Sequence, residues 1–315
     1  MKSSSAWHGH YAETRMNQRP HRTLRDRILD PGETALAWAL LTPALLFIAA
    51  IVAYPVATLI INSFFDVRLS RGLPVTFVGF DNYAAALTDG MFWRAVKNTL
   101  IITFVTVPGA LVVGLGLALL ANMPFRFRGP IRLALLLPWA LPLAFVGLIF
   151  AWFFHSEYGL VNDLIRRFGG EPRIWFNSPA LTMMAICIAT IWKTSSFMAL
   201  ILLAGLQTIP ASLYEAAEVD GASKWTQFTE ITLPLLVPSM LVALIFRTLT
   251  AIQSFDIPYS MPGPGEEAQT LAMYIQLNTV DYLDLGYGST LAVFMFMLSM
   301  ATTWVYLRYV RGDKD

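Results

Sequence analysis

Six long apolar segments constrain the fold of this chain more than any other feature of its sequence. Each can cross the hydrocarbon core of a bilayer, about 30 Å thick, as a helix that rises about 1.5 Å per residue. Hydrophobic residues make up 56% of the 315 residues and charged residues only 14%, too few to cover a soluble fold of this size. Gly109, Gly114 and Gly116 in the second segment are expected to let neighbouring helices pack closely. The sequence predicts an all-α polytopic membrane protein with six transmembrane helices, at Leu36–Ile61, Asn98–Ala121, Leu133–Phe153, Leu181–Leu206, Leu235–Ser254 and Leu285–Tyr306.

Positive charges predict the orientation of these helices. They are concentrated in the tail before the first segment, in the short connection after the second, and at the C-terminus, whereas the fifth connection, 255–284, has no Lys or Arg. Because positively charged connections stay in the cytoplasm, both termini are expected there. No apolar stretch that could form a cleaved signal lies near the start, so the first apolar helix is expected to direct insertion. The charges that support this orientation are Lys2, Arg15, Arg19, Arg22, Arg25, Arg27, Arg126, Arg128, Arg132, Arg308, Arg311 and Lys314.

Several classes of function lack their signatures in this sequence. The net charge of +1 gives no field that would attract nucleic acid. There is no G-x-x-x-x-G-K-[ST] phosphate-binding loop, and His8 and His10 have no acidic or thiol partner at ligand spacing, so neither a cofactor nor a metal is expected. No pair of carboxylates lies within the apolar segments, which argues against a proton-coupled secondary transporter. No reactive cluster points to a membrane enzyme.

The connection Leu206–Pro234 is chiefly acidic, although the charge bias places it in the cytoplasm. Ser212 and Glu215 have the spacing of a capping box, which predicts that Ser212 caps a helix and that Glu215 reaches back to it. Gly221 can adopt the left-handed conformation that ends such a helix. Acidic residues have little effect on topology, so the orientation stands and the acidity indicates a protein partner.

Two basic residues lie near the middle of apolar segments, Lys193 in the fourth and Arg247 in the fifth. A charge at this depth costs about 2.5–3.5 kcal/mol even on a lenient insertion scale, so each must face protein, water or a ligand. One hypothesis is a polar translocation path; the alternative is that each cation only fixes a contact between helices. The candidate residues of the path are Trp192, Lys193, Thr194, Arg247, Thr250, Gln253 and Ser254.

The acidic connection also carries a specific motif. It reads Glu215-Ala216-Ala217, then Gly221 after three further residues, then Ile231-x-Leu233-Pro234 after nine more. In this it resembles the EAA motif of the permease subunits of bacterial ABC importers. Other segments are similar to the carbohydrate-uptake branch, with its maltose-type and glycerol-3-phosphate-type permeases, and the similarity runs from about Gly79 to Leu307. One departure from the family pattern is the external loop 261–265. These segments are Asp81-Asn82-Tyr83, Asn98-Thr99, Pro138-Trp139, Gly159–Asn162, Trp192-Lys193, Ala204–Pro210 and Asp220-Gly221-Ala222.

The resemblance implies a type I ABC importer permease fold with a cytoplasmic coupling helix that docks in a cleft of the ATPase subunit. Glu215, Ala216, Ala217 and Gly221 match the docking and turn residues, and Asp220 can meet basic residues across the interface. The partners implied are a second permease subunit in a heterodimer, two cytoplasmic ATPase subunits, an extracytoplasmic solute-binding protein and the lipid of a bacterial cytoplasmic membrane. The permease itself would not be an enzyme.

On this interpretation the chain imports a sugar, a di- or oligosaccharide. The alternatives are the same architecture importing glycerol-3-phosphate or another polar or anionic solute and, more distantly, a secondary transporter. The expected organisation is a basic cytoplasmic tail at 1–33, a first transmembrane helix with its external connection at 34–93, a permease core at 94–310 with the coupling loop at 206–234, and a cytoplasmic C-terminus at 311–315.

Overall fold

The computed structural model describes residues 33–69, 72, 74–123, 128–261, 265 and 268–312. The basic tail before Glu33, Arg126 of the second connection, 262–264 of the external loop and Lys314 lie outside the described residues.

Helices account for most of the described chain. A short antiparallel pair, β1 (Phe65–Asp66) and β2 (Thr76–Phe77), follows the first of them. Two π-helical turns, Phe228–Thr232 and Leu277–Asp281, extend helices in the second half. The helices are α1 (Glu33–Asn62), α2 (Asp81–Thr88), α3 (Gly90–Asn122), α4 (Arg128–Ala140), α5 (Leu143–Phe153), α6 (Leu160–Arg167), α7 (Pro179–Leu206), α8 (Ala211–Val219), α9 (Lys224–Gln227), α10 (Leu233–Ile252), α11 (Asp256–Ser260), α12 (Leu271–Gln276) and α13 (Leu285–Gly312).

Among the described residues, five helices are long and apolar enough to span a bilayer: Leu36–Asn62, Gly90–Asn122, Pro179–Leu206, Lys224–Ile252 and Leu285–Tyr306. The third predicted segment is instead divided into α4 and α5. The break falls at Pro142, which has no N–H to continue the helix and which disfavours the helical conformation at the residue before it. An all-helical membrane fold is therefore confirmed, while the count of six spanning helices remains a prediction.

The chain divides into two compact units, one ending at Ala57 and the other beginning at Thr58. The first unit holds most of α1, including Pro43 and Pro55. In the second, α3 and α7 form the central helix pair, and α10 packs against both.

Glycine at position 114 brings α3 and α7 together. A Cβ there would lie 2.6 Å from the Cβ of Met198 and 3.0 Å from the carbonyl oxygen of Ser195, so only a hydrogen fits. Gly109 makes a similar approach to the same helix. The prediction was wrong for Gly116, which faces open space. Gly116 follows Gly114 by two residues, which is a rotation of about 200° around the helix axis. The two glycines therefore lie on opposite faces of α3.

Asp89 joins three helices at the N-terminal end of α3. Its carboxylate accepts hydrogen bonds from the Met91 amide at 2.8 Å and from the hydroxyls of Tyr274 in α12 and Tyr287 in α13. Burial raises the pKa of Asp89, but the hydrogen bonds from both tyrosines and from the Met91 amide outweigh it, and the pKa lies below its ordinary value. Burial and the bond to Asp89 also raise the pKa of Tyr274 to about 12.

Candidate coupling loop and solute cavity

The helix that carries the EAA residues begins two residues earlier than the capping box requires. Pro210 is the N-cap of α8, with an extended ψ of 134°, and α8 makes no side-chain capping bond. Ser212 is therefore already the second residue of the helix, and the predicted capping box of Ser212 and Glu215 is wrong. The proline decides the start, because its fixed φ suits the residue that precedes a first turn.

The end of α8 follows the prediction. Gly221 has a φ of +79°, the left-handed conformation that favours glycine. The amide of Gly221 donates to the carbonyl of Glu218 at 3.1 Å, and the amide of Ala222 donates to the carbonyl of Ala217 at 2.8 Å. This pair of bonds is a Schellman motif, which satisfies carbonyls that the end of a helix leaves free.

The chain then turns back toward the membrane-spanning part. The Ser223 hydroxyl accepts from the Thr226 amide at 3.1 Å and caps α9. The hydroxyls of Tyr214 in α8 and Thr232 in the π-helical turn hydrogen-bond at 2.9 Å. The π-helical turn leads directly into α10, so the spanning helix begins inside the predicted loop. The contact between Tyr214 and Thr232 therefore links α8 to the start of that spanning helix.

No residue of α8 is buried. Glu215, Ala216, Asp220 and Gly221 are exposed, and Ala217 is half-buried. Glu218 pairs with Lys224, and the hydrogen bond from this lysine lowers the pKa of the glutamate. The predicted coupling residues thus lie together on an accessible surface, and their docking role remains a prediction.

Two exposed apolar side chains lie beside these residues and were missed by sequence reasoning. Val219 is 88% exposed and Trp225 is 72% exposed. An exposed tryptophan in a polar connection is unusual unless a partner covers it, since tryptophan is enriched at the centres of protein interfaces. The signal was present in the sequence, because Trp225 directly follows Lys224 in the middle of the acidic connection.

A cavity of about 280 Å³ lies between α4, α5, α7 and α10. Lys193, Thr194, Arg247, Thr250, Gln253 and Ser254 all line it. Of the candidate path residues, Trp192 is the one that does not; its ring packs on Phe150 of α5, with centroids 5.4 Å apart. The structure therefore brings together most of the predicted path, although it does not test whether a solute passes there.

Lys193 is held by the end of a neighbouring helix. Its Nζ donates to the carbonyl of Trp139 at 2.5 Å, in the last turn of α4. Since α4 stops before Pro142, its last carbonyls have no partner within the helix, and a cation at this end is favourable. The ammonium thus compensates for the break that divides the third apolar segment.

Arg247 joins α10 to α3 and is 3% exposed. Its Nη2 donates to the hydroxyl of Thr106 at 2.7 Å and its Nη1 to the hydroxyl of Thr250 at 3.3 Å. Its Nε is buried and has no hydrogen-bond partner among the described residues. Within that same part of the chain, no carboxylate forms an ion pair with Arg247 or Lys193.

Sequence reasoning missed seven of the residues that line the cavity, and four of them bear most on binding. Asp256 is an exposed carboxylate, two residues beyond the fifth predicted segment, and Trp139, Phe197 and Phe255 contribute aromatic rings. Rings and a few convergent polar groups are typical of small-molecule sites. Among the described residues no group of three or more His, Cys, Asp or Glu could hold a metal ion.

The fold and the EAA connection agree with the family found by comparison. Residues 110–312 match the family described as "Binding-protein-dependent transport system inner membrane component". The chain belongs to this family of ABC transporter permease subunits.

Curated relatives cover nearly the whole chain. The sulfoquinovosyl glycerol transport system permease protein SmoG of Agrobacterium fabrum is 63% identical over 287 residues, 90% of this chain and 93% of that protein. The trehalose/maltose transport system permease protein MalF of Thermococcus litoralis is 37% identical over 285 residues, 90% of this chain and 96% of that protein.

Among solved structures, a bacterial alginate ABC transporter in complex with an alginate pentasaccharide-bound periplasmic protein matches with a TM-score of 0.75 and 22% identity. The match covers 90% of this chain and 96% of that one. At this identity the match supports the ABC permease fold alone.

Proposed function

We propose that this chain is one of two permease subunits of an ATP-driven importer that moves a sugar glycoside across a bacterial cytoplasmic membrane. The observation that carries the proposal is the 63% identity, across nine-tenths of the chain, to a permease named for sulfoquinovosyl glycerol. The 37% identical relative is named for trehalose and maltose. Sulfoquinovosyl glycerol, trehalose and maltose each consist of one sugar joined to one further unit. This favours a solute of about that size.

In the proposed mechanism, α8 docks in a cleft of an ATPase subunit. Small residues at Ala216 and Ala217 allow a helix to seat deeply, and the acidic side chains of Glu215 and Asp220 can meet basic partners. Movement of α8 would pass to α10 through the short Schellman turn at Gly221 and through the contact between Tyr214 and Thr232. ATP drives transport only by favouring one state of the permease through differential binding.

The remaining partners follow from the same proposal. A second permease subunit completes the membrane pair, a second ATPase completes the motor, and an extracytoplasmic binding protein delivers the sugar. Both termini then lie in the cytoplasm, in agreement with the distribution of Lys and Arg. In this proposal the permease binds and releases the solute, and it neither makes nor breaks a covalent bond.

Reconstitution in proteoliposomes tests this function. Vesicles that hold both permeases and the ATPase are supplied with binding protein and labelled sulfoquinovosyl glycerol or trehalose. Uptake is expected only when ATP, ATPase and binding protein are all present. Uptake that continues without the ATPase and collapses with an ionophore would instead establish a secondary transporter.

A further inference from the structure

We infer that Arg247 binds the anionic group of the solute, so that the sugar carried through this cavity bears a sulfonate or a phosphate ester. The inference rests on the proposed function and names the chemical class of its substrate. On this inference Arg247 determines specificity. Thr250 is a neutral hydrogen-bond partner, so it leaves the positive charge of Arg247 available to the anion.

Among the described residues, no opposite charge is paired with the two cations of the cavity. Lys193 and Arg247 line one cavity, and neither has a carboxylate within ion-pair distance in the described part of the chain. The groups that they do contact are neutral: a backbone carbonyl and two threonine hydroxyls. Buried cations are normally paired, because removal from water is costly without an opposite charge. An anionic ligand would supply the missing charge.

The guanidinium of Arg247 also has hydrogen-bond donors that the described residues leave unused. A guanidinium has five N–H donors in a planar fork, and Arg247 uses two of its three nitrogens on threonine hydroxyls. Its buried Nε has no partner among the described residues. If residue 247 served only to join α10 to α3, a neutral side-chain amide could bond the same two hydroxyls. The extra donors and the charge suit an oxyanion, which planar guanidinium groups bind through paired hydrogen bonds.

Asp256 adds a negative charge to the lining of the cavity. Its carboxylate lines the same cavity and makes no side-chain hydrogen bond within the described residues. It can accept hydrogen bonds from sugar hydroxyls and repels an anion. A cavity lined by both cations and a carboxylate would therefore orient an anionic sugar, and Trp139 and Phe255 add aromatic rings to the same lining.

Thr250 gives a direct test, because its hydroxyl already accepts a hydrogen bond from Arg247. Thr250→Asp places a carboxylate beside the guanidinium and neutralises it, whereas Thr250→Asn has the same shape without the charge. At saturating loaded binding protein, uptake of sulfoquinovosyl glycerol by Thr250→Asp is expected to be at least about tenfold slower than by Thr250→Asn. Equal rates in the two variants would overturn the inference.

Gln253 provides a second test if Thr250→Asp does not assemble. Gln253→Glu is isosteric and adds a negative charge to the cavity lining. Relative to the unaltered transporter, it should slow uptake of the sulfonated glycoside by a similar factor; an unchanged rate would count against the inference. Parallel assays with glycerol-3-phosphate show whether a phosphate ester meets the same site. Absence of ATP-driven uptake of any sugar by the unaltered transporter would reject the proposed function itself.

Discussion

Single residues decide where charge is held in this molecule. Arg247 and Lys193 are cations without carboxylate partners among the described residues, whereas Asp89 is an anion held by three donors. The lowered pKa of Asp89 means that the folded protein favours its charged form. Its contribution to stability is therefore complete above the ordinary pKa of about 3.9 and is lost as pH falls through the lowered native value.

Asp89→Asn tests this. The amide can still accept hydrogen bonds but without charge, so we expect a loss of about 1–2 kcal/mol in unfolding free energy at neutral pH. Thermal unfolding of the detergent-purified protein measures it. The difference from the unaltered protein should shrink as pH falls below about 4, because the carboxylate of the unfolded chain then takes up a proton while the native carboxylate, with its lowered pKa, stays charged. A difference that stays constant to pH 3 would contradict the assignment.

Sequence reasoning found single residues where their chemistry is local. Gly221 was predicted from its permissive backbone and has the expected positive φ. Ser212 was misassigned because Pro210 fixes an earlier helix start, a competition that the capping pattern does not reveal. Asp256 was missed because it reaches the cavity only through the packing of α11 against α5 and α7.

At the scale of elements, hydropathy predicts helices and does not predict their interruptions. Apolar composition is similar on both sides of Pro142, so one long segment was expected where α4 and α5 form. The division has a consequence that composition could not show. It frees the carbonyl of Trp139, which then binds Lys193 beside the cavity.

The packing of α3 on α7 gives a prediction with an internal control. Gly114→Ala should destabilise the protein by about 1–3 kcal/mol, because the new methyl group would push the two helices apart at Met198. Gly116→Ala, on the same helix with open space around it, should be neutral or should stabilise by up to about 1 kcal/mol. Thermal unfolding in detergent distinguishes them. Equal effects would show that the close approach is unimportant.

For the whole molecule, the central claim is that one exposed turn couples an ATPase to a cavity inside the helices. The motif at Glu215–Gly221 could be identified from sequence because its residues are contiguous. The cavity could be identified only in part, because α4, α5, α7 and α10 are distant in sequence and meet only after folding. Both sites belong to the same connected pair of helices, α7 and α10, joined by the EAA connection.

Glycine substitutions at two turns test this claim. Gly221 and Gly169 both have a φ of +79° and open space where a Cβ would lie, so aspartate imposes the same backbone cost at each, about 1–2 kcal/mol. Gly169 follows α6, outside the EAA connection. The difference between the two variants therefore isolates docking from local strain.

The decisive measurement is ATP-driven sugar uptake by proteoliposomes that contain equal amounts of each permease variant. Gly221→Asp is expected to lose ATPase from the purified complex and to slow uptake by at least about tenfold, equivalent to about 1.4 kcal/mol. Gly169→Asp is expected to retain the ATPase in the purified complex and to keep its rate of uptake. Normal uptake by a stably inserted Gly221→Asp variant would contradict the account.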